Sequence, residues 1–235
     1  IDITGSSTSL AQVVAEELGM DMGQVHIVTA DTDSGSMTPG SGGSQITRSL
    51  ATSVQQAALA VRQQILEVAA QKLEARPEDV VLVDGSVTVV SSPEVSIPLT
   101  EVLSEAKKTR GPVFGHGVTP NLPAAPIYVT QVADVAVDPE TGEVEILRMV
   151  SAQDVGFAIN PMSIEGQIEG AVLQGAGYAT MEEMKYENGR MLNPDLDGYI
   201  LPTAKDTFEI VPILVEEPAP DGAYGVRGVG EPPII

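Results

Sequence analysis

The sequence predicts an α+β fold of mixed sheets with long helices, and three observations predict it. Apolar residues recur at helical spacing over long stretches. Alternating, strand-like stretches come in pairs joined by turn residues, separate from the helices rather than strictly interleaved with them. No repeat of fixed period runs through the 235 residues, which argues against a solenoid. That length is enough for one large unit or two small ones, each with a sizeable core.

The elements follow in order. Residues 8–18 place Leu10, Val13, Val14 and Leu18 on one helical face, with Ser6, Ser7 and Thr8 as candidate N-caps and Gly19 as the stop. Residues 24–30 alternate Val25, Ile27 and Thr29 and predict a strand. A long small-residue loop spans 31–44, and loops of that length inside compact domains are often functional. Residues 47–73 form a long helix with Leu59, Val61, Ile65, Leu66 and Ala69 on its apolar side, closed by Pro77. Residues 80–83 and 87–90 are strands joined by Asp84-Gly85, a hairpin signal. A short helix covers 98–107, and a Pro- and Gly-rich loop runs over 109–126. Strands at 127–137 and 144–150 flank the turn at 138–142. After Asn160-Pro161 a helix runs over 162–180. It contains Gly166, Gly170, Gly175 and Gly177, and each interior glycine costs about 1 kcal/mol. Four of them predict that something packs very close to that helix. A last strand, interrupted by Pro212, covers 207–215. This pattern divides the chain into a first α+β subdomain, 1–126, and a second, 127–235.

Hydrophobic residues make up 43% of the chain, so it folds rather than staying disordered. A formal net charge of −21 repels phosphate backbones and makes nucleic acid an unsuitable partner. An anionic cofactor can still bind, through backbone N–H groups and local side chains. With no cysteine, the chain carries no disulfide, no thiolate metal site and no iron–sulfur ligation of its own. No run approaches the roughly 20 apolar residues of a membrane span, and no basic and apolar leader opens the chain. It lacks an initiator Met and starts within a pattern, which suggests a piece of something longer.

The segment with the most chemical promise is Gly228-Val229-Gly230-Glu231-Pro232-Pro233. Pro232 biases Glu231 toward an extended backbone, and the glycines permit positive φ or a close approach. Together they present one carboxylate on a stiff platform. A solvated surface turn is the bland alternative, and the motif alone favours it. Gln167 is by itself most simply a helix-face glutamine bonded to a loop. Gly42, Gly43 and Ser44 can let successive N–H groups converge on an anion, or form a plain linker. Asp31, Asp33 and Asp154 lack a compact ligand set and are read as turn and cap residues. His26, in the predicted strand, and His116, in a loop, make no catalytic pair. No Gly-x-Ser-x-Gly elbow and no dinucleotide fingerprint is present.

Three ordered segments together resemble one family, the molybdenum hydroxylases: xanthine dehydrogenase, aldehyde oxidase and carbon monoxide dehydrogenase. They are Asp154-Val155-Gly156 through Asn160-Pro161 with Gly166-Gln167-Ile168-Glu169-Gly170-Ala171 and Gln174-Gly175; the segment at 228–233; and the opening at 5–19 with Asp31-Thr32-Asp33 and Gly42-Gly43-Ser44. The likeness covers nearly the whole chain and implies the fold of that family's molybdenum-binding domain, as the C-terminal part of the subunit that binds molybdopterin. It implies a molybdenum held by the pterin dithiolene rather than by side chains, so no protein metal ligand is expected. The implied reaction inserts a water-derived oxygen at a C–H carbon of an aldehyde or N-heterocycle, with Glu231 as general base. Gln167, Gly42, Gly43, Ser44, Thr4, Gly5, Ser6 and Gly230 are the implied cofactor contacts. The implied cofactor is molybdopterin, in its plain or cytosine dinucleotide form. Implied partners are the rest of the subunit, an iron–sulfur chain and an FAD chain, in the cytoplasm. Two positions depart from the family pattern: Thr4 stands where many members carry glutamine, and Ile46 is less polar than expected. A truncated or non-catalytic fragment that keeps the fold is the alternative.

Overall fold

The structure, a computed structural model, describes residues 5–29, 33, 42–119 and 121–235. They form two compact units that are discontinuous in sequence. The first draws on described stretches 5–29, 46–119, 121–123 and 221–223; the second takes 42–45, 124–220 and 224–235. Helices and mixed sheets are segregated as an α+β fold requires.

In the first unit, helix α1 (Ser6–Leu18) packs on helix α2 (Ile46–Lys72). The predicted caps Ser6, Ser7 and Thr8 lie inside α1. The helix opens instead at Gly5, in the left-handed conformation at φ 80°, whose carbonyl accepts the Ser9 N–H at 3.1 Å. Gly19 ends it as predicted, with Met20 N–H reaching back to the Ala15 carbonyl at 3.0 Å. The strand expected at 24–30 is absent over 25–29, and Ala30 lies outside the described residues. Asp21 caps a single 3-10 turn, Met22–Gln24, and no ladder partner follows among the described residues. Alternation without a partner does not make a strand, and Val28 is left 81% exposed.

Helix α2 turns Ile65, Val68, Ala69 and Ala70 into the core, whereas Leu59, expected on that face, points outward. Strands β1 (Val80–Val83), β2 (Ser86–Val89) and β3 (Ser92–Pro98) form an antiparallel sheet. The Asp84-Gly85 turn has φ of 47° and 71°, the double left-handed geometry that a two-residue hairpin needs. Strand β3 alternates Val95 and Ile97 with polar residues, but Pro93 and Pro98 flank that pattern and give it the look of a loop, and Ile97 is its one buried residue. Helix α3 (Leu99–Thr109) closes the core with Val102 and Ala106.

In the second unit, β4 (Val129–Val137) and β5 (Val144–Asp154) make an antiparallel hairpin. A minor ribbon, β6 (Tyr186–Glu187) and β7 (Arg190–Met191), precedes β8 (Glu209–Val215), which adds to β5 in parallel. In the order β4-β5-β8, β8 lies at an edge, so Pro212 is tolerated there and does not break the strand. Helix α4 (Pro161–Thr180) packs on β5 and β8; the Asn160 side chain caps it by accepting the Ser163 N–H at 3.2 Å. Of its four glycines, two mark the predicted close approach. A side chain at Gly175 would run into the Ile234 carbonyl, and one at Gly177 would meet Pro202 at 2.7 Å. Gly166 and Gly170 have nothing within 4 Å.

Candidate active site around Glu231

Residues 225–235 run without regular strand pairing, and the second unit holds them from several sides. Upstream, Arg227 N–H donates to the Val155 carbonyl at 3.0 Å. The Arg227 guanidinium pairs with Asp154 at 3.0 Å, both side chains only 10% exposed, and donates to the Glu217 carbonyl at 3.1 Å and to the Pro126 carbonyl. Asp154 also accepts the Gly156 N–H at 3.0 Å, so the aspartate expected at a turn does make one and adds a buried ion pair. Gln153, fully buried, donates to the carbonyls of Gly228 at 3.0 Å and Val229 at 3.2 Å. Downstream, Gln131 donates to the Pro233 carbonyl at 2.7 Å.

Between those anchors sits Glu231. Its N–H donates to Ser44 Oγ at 2.8 Å, and its Oε1 accepts the Gly43 N–H at 3.1 Å. Gly43 and Ser44 are both left-handed, at φ 62° and 55°, which turns the 42–45 segment so that Gly43 N–H and Ser44 Oγ face the same residue. Gly230 has no positive φ and lies close to the end of the Gln167 side chain. A Cβ there would meet Gln167 Oε1 at 2.7 Å. Gly228 likewise lies against Ser44, with a Cβ reaching the Ser44 carbonyl at 3.0 Å.

Glu231 corrects one expectation. Its backbone is in the right-handed helical region, φ −102° and ψ −36°, and not extended. The bias imposed by the following proline is overridden by a 3-10 turn, Pro232–Ile234, closed by Ile234 N–H to the Glu231 carbonyl at 3.1 Å. The carboxylate is exposed, and its Oε2 has no partner among the described residues.

Of the residues selected from sequence, Gly43, Ser44, Gln167, Gly230 and Glu231 come together in the second unit, and Gly42 lies on the same short segment, exposed. Gly5 and Ser6 form the start of α1 in the first unit. Thr4 lies outside the described residues, as do Asp31 and most of the 31–44 loop. Ile46 is the first residue of α2. His26 is exposed, and no strand holds it. Sequence reasoning missed Gln131, Gln153 and Arg227. The one available signal was polar residues at inward positions of otherwise apolar strands, Gln131 and Gln153 among them.

Among the described residues no group of three His, Cys, Asp or Glu is close enough to hold a metal ion. The hydrogen-bonding capacity at the site is nonetheless unspent. Gln167 makes no hydrogen bond among the described residues, Glu231 keeps one oxygen free, and Gly42 faces open space. A neutral amide, a carboxylate and bare backbone fit a large polar cofactor that brings its own metal.

Residues 4–208 match the family of molybdopterin cofactor-binding domains. The chain is 32% identical to the nicotine 6-hydroxylase large subunit of Paenarthrobacter nicotinovorans, across 98% of the chain and 29% of that protein. It is 30% identical to the putative xanthine dehydrogenase molybdenum-binding subunit of Escherichia coli, across 98% of the chain and 32% of that protein. Its fold superposes on quinoline 2-oxidoreductase of Pseudomonas putida with a TM-score of 0.87 at 27% identity, across 99% of the chain and 30% of that structure. The chain belongs to the molybdenum hydroxylase family, as part of a molybdopterin-binding subunit. It spans about a third of the length of these relatives.

Proposed function

We propose that this chain supplies the general base and part of the cofactor cradle of a hydroxylase that inserts water-derived oxygen into an aldehyde or N-heterocycle. The observation that carries this reading is the Glu231 carboxylate. It is fixed through Oε1 by Gly43 N–H and through its own N–H by Ser44, while Oε2 stays available. A base must be rigid and within reach of the proton it takes, and this arrangement provides the first condition from the chain's own atoms. Gln167 would hydrogen-bond the cofactor without adding charge, and Gly42, Gly43, Ser44 and Gly230 would let it approach the backbone closely. Thr4, Gly5 and Ser6 would add contacts from the first subdomain, 1–126. The second, 127–235, carries Gln167 and Glu231. When bound, a molybdenum-bearing pterin, in the plain or cytosine dinucleotide form, supplies the oxygen-transfer and two-electron chemistry.

The rest of the subunit, an iron–sulfur chain and an FAD chain would complete a cytoplasmic assembly; one relative is named as subunit gamma of a dehydrogenase complex. Among the described residues no helix is long and apolar enough to cross a membrane. In the assembled enzyme, Glu231→Gln should lower turnover by about a hundredfold to ten-thousandfold with molybdenum content unchanged. Turnover near that of the unsubstituted enzyme would overturn the base assignment.

The share of the relatives' length that the chain spans favours a second reading, a fragment inactive without its missing part. Metal analysis of the isolated chain separates the two, since stoichiometric molybdenum rules the second out.

A further inference from the structure

The segment around Glu231 has an unusual hydrogen-bonding character. Pro232 and Pro233 have no N–H, so around them the segment offers mainly carbonyl oxygens. Two neutral side-chain amides meet those oxygens. Gln153 on β5 takes the carbonyls of Gly228 and Val229 with one Nε2, at 3.0 and 3.2 Å. Gln131 on β4 takes the Pro233 carbonyl at 2.7 Å and reaches Ser151 Oγ at 3.3 Å. The two strands are hydrogen-bonded neighbours, with Gln131 opposite Ser151 and Gln153 opposite Val129. Both amides therefore project from one rigid hairpin and grip the chain on either side of Glu231.

Gln153 makes this choice at a cost. Its side chain is 0% exposed, and its Oε1 is buried with no partner among the described residues. An unpaired buried acceptor is disfavoured by about 1–3 kcal/mol, and methionine or leucine would fill the volume without it. What the amide provides in return is two fixed carbonyls directly upstream of the base. A lysine or arginine could donate to the same oxygens, but would add a positive charge near the carboxylate, and a nearby cation favours the charged form and weakens a base. A neutral donor positions the segment without that effect.

We propose that Gln131 and Gln153 are paired positioning residues that set the placement of the Glu231 carboxylate by clamping the main chain before and after it. The inference rests on the reading of Glu231 as the base. Neither glutamine touches the reacting groups; both act through the backbone.

The test uses the assembled enzyme with Gln131→Met, Gln153→Met and both together. A base displaced by about 1 Å loses roughly a hundredfold in rate. Each single variant should therefore lower kcat by about tenfold to a hundredfold, with KM within about twofold and molybdenum content unchanged. Hydrogen exchange over 228–235 should be faster than in the unsubstituted enzyme. Because both residues hold one segment, the double variant should depart from the product of the single effects. An unchanged kcat with unchanged exchange overturns the clamp, and so does a loss confined to KM or to molybdenum content. If Gln153→Met does not assemble, Gln131→Met decides alone, since its side chain is only partly buried. Glu231→Gln separates the two ideas. Full turnover there removes the base while faster exchange in the glutamine variants still demonstrates the clamp. A dead Glu231→Gln beside fully active glutamine variants keeps the base and removes the clamp.

Discussion

The core of the first unit and the 225–235 segment of the second are held by different forces. In the first, Ile65, Val68, Leu82, Val87, Ile97 and Val102 form one aliphatic cluster, contributed by two helices and a three-stranded sheet. In the second, the segment around Glu231 is placed by polar bonds: an ion pair at Asp154–Arg227, two glutamine amides and a serine hydroxyl. Apolar burial is non-directional and tolerates small shifts, whereas hydrogen bonds fix direction and distance. A scaffold can rely on the former. A carboxylate proposed to act as a base needs the latter.

That contrast can be broken by substitution. Asp154→Asn leaves the Arg227 charge buried without its counter-ion and should cost about 3–5 kcal/mol in denaturant unfolding. If the polar bonds place Glu231, the surviving folded enzyme should also turn over more slowly. Normal turnover per folded molecule would mean that the ion pair supports the fold alone. Leu82→Ala, in the aliphatic cluster, should cost about 2–5 kcal/mol and leave turnover per folded molecule unchanged. A slowed reaction there would erase the distinction between the two regions.

The smallest effect concerns pH. Asp138, in the β4–β5 turn, accepts the N–H groups of Glu140 at 2.7 Å and Thr141 at 3.1 Å, which hold its carboxyl below the ordinary value. The fold thus favours the ionised form. The stabilisation is present above the unfolded carboxylate range and is lost as pH falls through the lowered folded value. Asp138→Asn should be slightly less stable than the unsubstituted chain at neutral pH and equal to it in strong acid. A difference that grows in acid would contradict the sign.

Legibility followed the type of signal. Helices α1, α2 and α4 and the β1–β2 and β4–β5 hairpins could be read because a periodic apolar face or a turn signal marks each one locally, whereas the short β6–β7 ribbon was not expected. The false strand at 24–30 had the alternation and, among the described residues, no partner, while the true strand β3 had a partner and a short alternation flanked by Pro93 and Pro98. Both errors arise because a strand is defined by its neighbour. At the site, the Gly-Glu-Pro string and Gln167 were visible as residue types, but Gln131 and Gln153 were not, since nothing in a strand pattern says which carbonyl an inward glutamine will meet.

Periodicity and turn chemistry, which act over a few residues, sufficed for the fold class and the main helices and hairpins, whereas Glu231 became a candidate through the resemblance carried by three ordered motifs. Only the tertiary structure decided that Glu231 sits in a helical turn with its N–H on Ser44 and its carboxylate on Gly43, residues 187 and 188 positions away. It alone revealed that Gly230 lies against the end of the Gln167 side chain. Hydrogen bonds across such separations depend on where distant segments are brought by packing, and no local pattern encodes that distance.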